Sequence, residues 1–402
     1  MVVAALPAYC GPASTTVIGR RERADLLWGT YLNAASANIF DFDDTHIPTI
    51  LHPSAPVAPV ILALAEAHPD GLALSGRDLL TAFVLGVEIE CRIANAVSPE
   101  HYQRGWHITA TCGVFGAAAA SGKLLGLDGP RHRHALANAS VQTGGLVEAL
   151  GTMSKSLGVG NAARNGLWSA LLAARGFEGP EMPLEGRLGF LSVASTTPDF
   201  SRLTSGLGER WELLANTYKP YPCGVVLNPV IDACLDLHRA GGFAPDAIAE
   251  IIISGHPLLR ERTDRPGVTT GRQAQVSAQH AAPVALISGA AGLDAFSDAS
   301  VADPQLIALG RKIVFHDDST LPVEAASVEL VLADGRRLGV HIKQARGSLG
   351  NPMTDHDLEE KLAALCAYRG ASLDPAALAD AVWTLDQTEN PTRLLDALRA
   401  GS

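Results

Sequence analysis

Four side chains that bind anions or exchange protons stand in stretches of the chain that are otherwise apolar and rich in glycine and alanine. They are His52, His107, Lys155 and Lys219. Imidazoles exchange protons near neutral pH, and ammonium groups bind carboxylates through their charge and several N–H donors. These residue types therefore predict one pocket that holds a carboxylate-bearing molecule and moves protons on it.

The chemistry that such a pocket favours begins with removal of a proton from the carbon next to a carboxylate. This step creates an enolate-like dianion, so a base must stand beside cations that stabilise the charge. We assign Lys155 and Lys219 as carboxylate anchors, with Arg164 as a weaker candidate. Either His107 or His52 then serves as the base, because an unperturbed imidazole has a pKa of about 6.5.

Three further side chains are candidates for supporting roles. Asp41 would orient His52 and so fix which ring nitrogen is free. An acid must also protonate a leaving hydroxyl or return a proton from the opposite face. His280 is the first choice for this acid and Tyr221 the second, although a hydrogen-bonded core histidine fits His280 nearly as well.

Each of the other candidates also has a structural interpretation, which the residues alone leave open. His52 could form a turn, and His107 could cap the helix that begins near Thr109. Lys155 could lie on a solvated helix face, and Lys219 could mark a hinge between domains.

The acidic residues before His52 raise the alternative of a divalent metal site. Oxygen and imidazole ligands lie close in sequence there, at Asp41, Asp43, Asp44, His46 and His52. No later residues complete a recognisable ligand spacing, and aspartates at such junctions more often cap helices and form turns. We therefore expect no metal.

A nucleotide cofactor is suggested only by a match to a short sequence motif. The string GxGxxA at 158–163 matches a dinucleotide fingerprint, but no branched strand precedes it. The run at 116–124 has the wrong glycine spacing for a phosphate loop. We expect no cofactor.

Composition limits the class of protein. A chain of 402 residues favours two domains. Because 47% of residues are hydrophobic and only 18% are charged, with a mean hydropathy of +0.15, we expect an obligate oligomer that buries further surface. The net charge of −11 argues against nucleic acid or an anionic membrane as a partner. Six cysteines without a CxxC pair, no signal peptide and no apolar run of about 20 residues favour a cytoplasmic protein.

The predicted secondary structure changes from helical to mixed near residue 217. Alanine-rich segments with helical spacing precede it, at 55–67, 78–96, 108–125, 133–150 and 161–175. Branched, alternating segments follow at 250–255 and 326–344, the second broken by a hairpin signal at Asp334-Gly335. After residue 350 a helix capped by Thr354 is predicted, with Gly370 as its stop. The sequence thus predicts a helical domain formed by 1–216 and 351–402, with a smaller α/β lid at 217–350 inserted in it.

Several spaced strings together resemble the MmgE/PrpD family. They are FDFDDTHIPTILHPS at 40–54, GWHITATCGVFGAAAA at 105–120, the lysine before GVGNAARNG, and KPYPCG at 219–224. The resemblance covers nearly the whole chain. That family includes 2-methylcitrate dehydratase, cis-aconitate decarboxylase and iminodisuccinate epimerase.

The resemblance implies a homodimer in which a mainly helical domain and an inserted α/β lid enclose the active site. The family's DFDDT motif corresponds to Asp41 through Thr45, which adds Thr45 as a substrate-binding candidate. Its two histidines correspond to His52 and His107, and its two lysines to Lys155 and Lys219.

The chain also departs from that family. A histidine of the decarboxylase branch is replaced by Gly224, and one of other relatives by Asn228. A lid tyrosine is replaced by His280. These differences favour a cofactor-independent dehydratase of a small hydroxy-polycarboxylate such as 2-methylcitrate. Epimerisation of an imino- or amino-dicarboxylate is the alternative, decarboxylation of an unsaturated tricarboxylate is third, and a non-enzymatic binding protein is the remaining possibility.

Overall fold

A computed structural model describes residues 11–68, 70–71, 73–370 and 373–399, apart from the side chain at 369. The first part of the chain is helical. Its helices are α1 (Leu26–Ala37), α2 (Ser54–Glu66), α3 (Gly76–Val97), α4 (Glu100–Gln103), α5 (Ile108–Leu124), α6 (Gly129–Ser140), α7 (Ser154–Ala174) and α8 (Phe190–Ala194). Two short ladders accompany them, β1 (Thr15–Thr16) with β2 (Arg23–Ala24) and β3 (Thr45–His46) with β4 (Asn216–Thr217).

Helix α5 forms the centre of this body. All of its residues except Lys123 are buried, and α3 and α7 pack against it. Glycines allow the close approach: a Cβ at Gly166 of α7 would lie 2.5 Å from the Cβ of Ala117. The predicted helix at 133–150 is wrong in its second half, because α6 ends at Ser140 and Gly145 takes a φ of 136°.

The second part of the chain is a mixed α/β unit. Its strands are β5 (Ile248–Gly255), β6 (Ile313–Asp317), β7 (Ala326–Leu332) and β8 (Arg337–Ile342), in the order β6-β5-β7-β8. Only the β5–β6 pair is parallel. Its helices are α9 (Asn228–Ala240), α10 (Pro257–Thr263), α11 (Gly271–Ala274), α12 (Ala278–Ser288), α13 (Asp298–Val301) and α14 (Pro304–Gly310).

The sheet is covered on one face. Alternate residues of β7 are buried, and α9 packs on β7 and β8. The predicted hairpin is present, since Gly335 has a φ of 86° between β7 and β8. This core contains buried residues from 221 to 332, whereas the helical core contains buried residues from 34 to 194. The exact domain boundaries proposed from sequence stay predictions.

The chain returns to the helical body through α15 (Asp355–Ala367), α16 (Pro375–Trp383) and α17 (Thr392–Ala397). Thr354 caps α15 as predicted, in a reciprocal capping box with Asp357. The backbone N–H of Gly76, at the start of α3, donates to the carbonyl of Thr388, which ties this tail to the body. A mainly helical domain with an inserted α/β unit is therefore confirmed.

Two further features of the described residues are the length of the apolar helices and the state of the cysteines. None of their helices is both long and apolar enough to cross a membrane. Five cysteines are buried and free, at 91, 112, 223, 234 and 366. The sixth, Cys10, lies outside the described residues.

Candidate functional site

A cavity of about 140 Å³ lies between the helical body and the α/β unit. Five of the residues singled out from the sequence line it, namely Asp41, His52, His107, Lys155 and Lys219. They come from positions up to 178 residues apart in the chain. The fold therefore brings the imidazoles and ammonium groups together around one space.

Asp41 is the centre of the polar network. Its Oδ1 accepts hydrogen bonds from the Nζ of Lys155 at 2.7 Å and from the Nζ of Lys219 at 2.8 Å. Burial alone would raise the pKa of the Asp41 carboxyl, but the two ammonium groups and His52 hold it well below its usual value. The residue has a φ of 51°, a left-handed conformation in which aspartate is among the tolerated residues.

Two contacts hold the loop of Asp41 against the entrance to the α/β unit. The antiparallel pair of Thr45 with Thr217 aligns the two segments. Lys361, from α15, then donates to the carbonyl of Phe42 at 2.7 Å and to the carbonyl of Lys219 at 2.9 Å. Burial lowers the pKa of Lys361 to about 8. The C-terminal helix thus supports both segments that carry the network.

His52 is oriented from its Nδ1 side. This nitrogen lies 3.0 Å from the carbonyl oxygen of Asp44 and 3.2 Å from Oδ1 of Asp43. A proton on Nδ1 is donated to the carbonyl oxygen of Asp44, which leaves Nε2 as the atom that can exchange a proton with a ligand. Nε2 lies 3.7 Å from Oδ1 of Asp41. Asp41 is therefore near His52 without a hydrogen bond to it, so its role in orienting the ring stays a prediction.

His107 occupies the N-cap position of α5, as its structural interpretation suggested, but its side chain makes no capping hydrogen bond. Its backbone N–H donates to the carbonyl of Gly145 at 3.1 Å, whereas its ring has no hydrogen-bond partner among the described residues. Burial, followed by the charges of Lys155 and His52, lowers the pKa of the ring to about 3. His107 is therefore neutral near pH 7, with a free nitrogen that can accept a proton.

The two lysines are both almost completely buried, at 5% exposure for Lys155 and 1% for Lys219. Burial lowers the pKa of Lys155. Burial also acts to lower the pKa of Lys219, but Asp41 and Asp43 outweigh it and the pKa is raised. Neither lysine lies on a solvated face, so the solvated-helix interpretation of Lys155 is wrong.

The two predicted proton donors of the α/β unit do not line the cavity. The Nε2 of His280 lies 2.6 Å from the carbonyl oxygen of Ala295. The hydroxyl of Tyr221 donates to Oδ1 of Asp232 at 2.6 Å. Both side chains complete hydrogen bonds inside their own domain, so their placement as proton donors is corrected.

Two substrate-binding candidates also lie elsewhere. The guanidinium of Arg164 is 4.8 Å from the ring centroid of Trp28, on the side of α7 that faces α1. Thr45 is fully buried in the β3–β4 ladder, where its carbonyl accepts from the hydroxyl of Thr217. Neither residue lines the cavity.

The cavity contains charged and polar side chains that the sequence reasoning missed. The α/β unit contributes Glu261, Arg262 and Arg265, and the helical body contributes Tyr102. The segment HPLLRERTDRP at 256–266 is rich in charges, which is typical of a solvated surface, so its residue types alone gave no signal. The full lining carries four cationic side chains, at 155, 219, 262 and 265, and two carboxylates, at 41 and 261.

The metal alternative can be tested against the same geometry. Ligand atoms of Asp41, Asp43 and His52 lie within 4.8 Å of one another. However, Oδ1 of Asp41 already accepts from two ammonium groups, and a divalent cation there would be repelled by both. Ion pairing accounts for Asp41, and the absence of a metal stays a prediction.

Comparison with known proteins identifies the family of this chain. Residues 1–203 match the MmgE/PrpD N-terminal domain, and residues 221–387 match the MmgE/PrpD C-terminal domain. Cis-aconitate decarboxylase of Homo sapiens is 29% identical over 369 residues, covering 89% of this chain and 76% of the relative. Cis-aconitate decarboxylase of Aspergillus terreus is 27% identical over 427 residues, covering 98% and 86%. Because both domain families match in order along the chain, this protein belongs to the MmgE/PrpD family.

Proposed function

We propose that this protein is a cofactor-independent lyase that acts on a small polycarboxylate and begins by moving a proton on the carbon next to a carboxylate. The observation that carries the proposal is the ring of His107. It is buried at 4% exposure, is held in the neutral form by burial and by the charge of Lys155, and faces a cavity in which cations outnumber carboxylates. A neutral base beside cations is what enolate formation requires.

The residues divide the work by their surroundings. His107 takes the proton from carbon, and the negative charge that develops on the carboxylate is stabilised by Lys155 and Lys219. His52, whose ring nitrogens lie 3.2 Å from Asp43 and 3.7 Å from Asp41, carries the proton that is given to the leaving group. The two histidines thus take opposite roles, His107 as the base and His52 as the acid.

Elimination of water is the first choice for the reaction. In this step the C–H electron pair forms the C=C bond, and the hydroxyl leaves as water after it takes the proton of His52. The wall of the cavity at Gly224 has no side chain, and a Cβ there would meet only atoms 3.9 Å or farther away. A proton donor that the decarboxylase branch is expected to carry at this position is therefore not available.

Decarboxylation of cis-aconitate is the second candidate. The relatives from Homo sapiens and Aspergillus terreus, named cis-aconitate decarboxylases, favour it. The same cavity would bind the same class of tricarboxylate, and the first proton transfer would use the same pair of histidines.

Product analysis distinguishes the two reactions. Purified protein is incubated with 2-methylcitrate, citrate and cis-aconitate, and the products are followed by ultraviolet absorbance of the conjugated double bond and by release of CO2. A rise in absorbance with the hydroxy acids supports dehydration, and CO2 from cis-aconitate supports the second candidate. An inversion of configuration without net product would instead indicate epimerisation. If the protein binds these acids tightly but converts none of them, nor iminodisuccinate, the result would indicate a binding protein that is not an enzyme.

We also propose a cytoplasmic homodimer. Large apolar side chains remain exposed around one surface depression, including Val141 at 78%, Leu188 at 73% and Val193 at 62%. A second copy of the chain would remove them from water. Light scattering should give a dimer mass, and Leu188→Arg should shift it to the monomer mass; a monomeric native protein would contradict the proposal. The five buried free cysteines fit a reducing compartment.

A further inference from the structure

Arg262 reaches across the cleft from the α/β unit to the helical body. It is in α10, and its guanidinium carbon lies 4.1 Å from the ring centroid of Tyr102, which lies in α4. This distance is within the range of a cation–π contact. Both side chains line the cavity. The contact therefore holds a positive charge of the α/β unit at the cavity that Lys155 and Lys219 also line.

The hydrogen-bond donors of Arg262 are not used by another charged group. Within the described part of the chain the guanidinium forms no ion pair, and its Nε is buried with no hydrogen-bond partner. A buried donor without a partner is costly, so a ligand that supplies an acceptor is favoured there. Arg260, two residues earlier in the same helix, is by contrast paired with Asp317.

The two lysines of the cavity differ from Arg262 in this respect. Lys155 and Lys219 already share Oδ1 of Asp41, so part of their charge is neutralised inside the protein. Arg262 lines the same cavity, and its Nε is a buried donor without a hydrogen-bond partner among the described residues. Its planar fork of N–H groups matches a carboxylate in two places at once.

We propose that Arg262 binds one particular carboxylate of the substrate and so makes the enzyme select a tricarboxylate over a dicarboxylate. This inference rests on the proposed function, because it assigns a role within the same polycarboxylate site. Tyr102 holds the guanidinium in place through its ring. The substrate then spans the cavity, with one carboxylate at Arg262 and the remaining carboxylates at the lysines.

The test measures binding of a tricarboxylate and of three analogues that each lack a different carboxylate. Cis-aconitate is compared with (E)-glutaconate, citraconate and itaconate by titration calorimetry of the whole chain. The variants are Arg262→Gln, which removes the charge, and Arg262→Lys, which keeps the charge but loses the fork. Arg260→Gln is the matched control, since it removes a charge from the same helix outside the cavity.

Arg262→Gln should weaken cis-aconitate binding by about 10- to 100-fold, the range of a charged hydrogen bond. Two of the analogues should be weakened similarly, and the one that lacks the carboxylate bound by Arg262 should change by less than about threefold. Arg262→Lys should retain part of the affinity for cis-aconitate. Tyr102→Phe should retain more of this affinity than Tyr102→Leu, because phenylalanine keeps the ring.

Two outcomes separate this inference from the proposed function. If the native protein binds none of the four acids, the proposed polycarboxylate site is wrong and the role of Arg262 is lost with it. If the native protein binds them and Arg262→Gln changes none of the affinities, or weakens all four equally, the specific role of Arg262 alone is overturned. Unchanged binding in Arg260→Gln excludes a general effect of charge on that helix.

Discussion

Lys219 donates two hydrogen bonds to Asp41, one to Oδ1 at 2.8 Å and one to the backbone carbonyl oxygen at 3.1 Å. The donor stands where the chain enters the α/β unit, and the acceptor lies in a loop of the helical body. A single ammonium group therefore links the two domains, and it is also one of the cations that line the cavity. Lys155 completes the network at the same Oδ1.

Removing the charge of Asp41 should destabilise the protein as well as inactivate it. Asp41→Asn keeps a residue that tolerates the φ of 51°, so the backbone is not strained by the change. It leaves two buried ammonium groups without their carboxylate, which should cost about 3 to 5 kcal/mol of unfolding free energy. Denaturant titration measures this loss, and Asp70→Asn, at an exposed site, is the control. A cost equal to that of the control would contradict the central place of Asp41.

Lys361 should act on turnover without contacting the substrate. Lys361→Met removes the hydrogen bonds to the carbonyls of Phe42 and Lys219, so both segments of the network should lose their fixed positions. We expect kcat to fall about tenfold or more with a smaller change in KM, because misplacement of a cation affects the transition state most. The exposed Lys343→Met is the control. A variant with native kcat would show that α15 is not needed to position the site.

Glu90 is buried in α3 with neither carboxylate oxygen hydrogen-bonded among the described residues. Burial, followed by the charge of Asp44, raises its pKa well above the ordinary value of 4.5. The folded state therefore holds this proton more tightly than the unfolded state, and the stability that it provides is lost as the pH rises.

Glu90→Gln, which mimics the protonated side chain, should remove this loss. Its stability relative to the native protein should increase by about 1.4 kcal/mol per pH unit over the range between the unfolded and folded pKa values. Unfolding measured at pH 5, 6.5 and 8 tests this, with the exposed Glu178→Gln as the control. A stability difference that does not vary with pH would show that Glu90 is ionised in the folded protein.

The lowered pKa of His107 predicts a distinct titration. In the free protein its ring should stay neutral from pH 8 down to about pH 5, because protonation begins only near the folded pKa of about 3. Histidine-labelled protein followed by NMR would show a resonance that does not shift over this range, and its loss in His107→Asn would identify it. A midpoint near 6.5 would mean that the ring is solvated and not held as a buried base.

The family, the two-domain architecture and five of the cavity residues could be predicted from the sequence. Lysines and histidines are conspicuous among small apolar residues, so His107 and Lys155 could be found by type alone. The direction of a side chain could not. His280 and Tyr221 have suitable chemistry, but their partners Ala295 and Asp232 are in the same domain and turn them away from the cavity.

The residues that the sequence did not reveal share a different property. Arg262 and Lys361 belong to charged helical segments, where a solvated position is the ordinary outcome. Their roles depend on contacts with Tyr102 and Phe42, more than one hundred residues away in the chain. Such contacts follow from how the domains meet, which residue types and local spacing do not determine.

Proton exchange at carbon tests the central claim most directly. The native protein is incubated in heavy water with cis-aconitate, citrate and 2-methylcitrate, and NMR follows deuterium at the carbons next to the carboxylates. We predict exchange with at least one acid, and a fall of at least about 100-fold in His107→Asn, whose asparagine still suits a helix N-cap. Absence of exchange with every acid in the native protein, or undiminished exchange in a folded His107→Asn variant, would contradict the account.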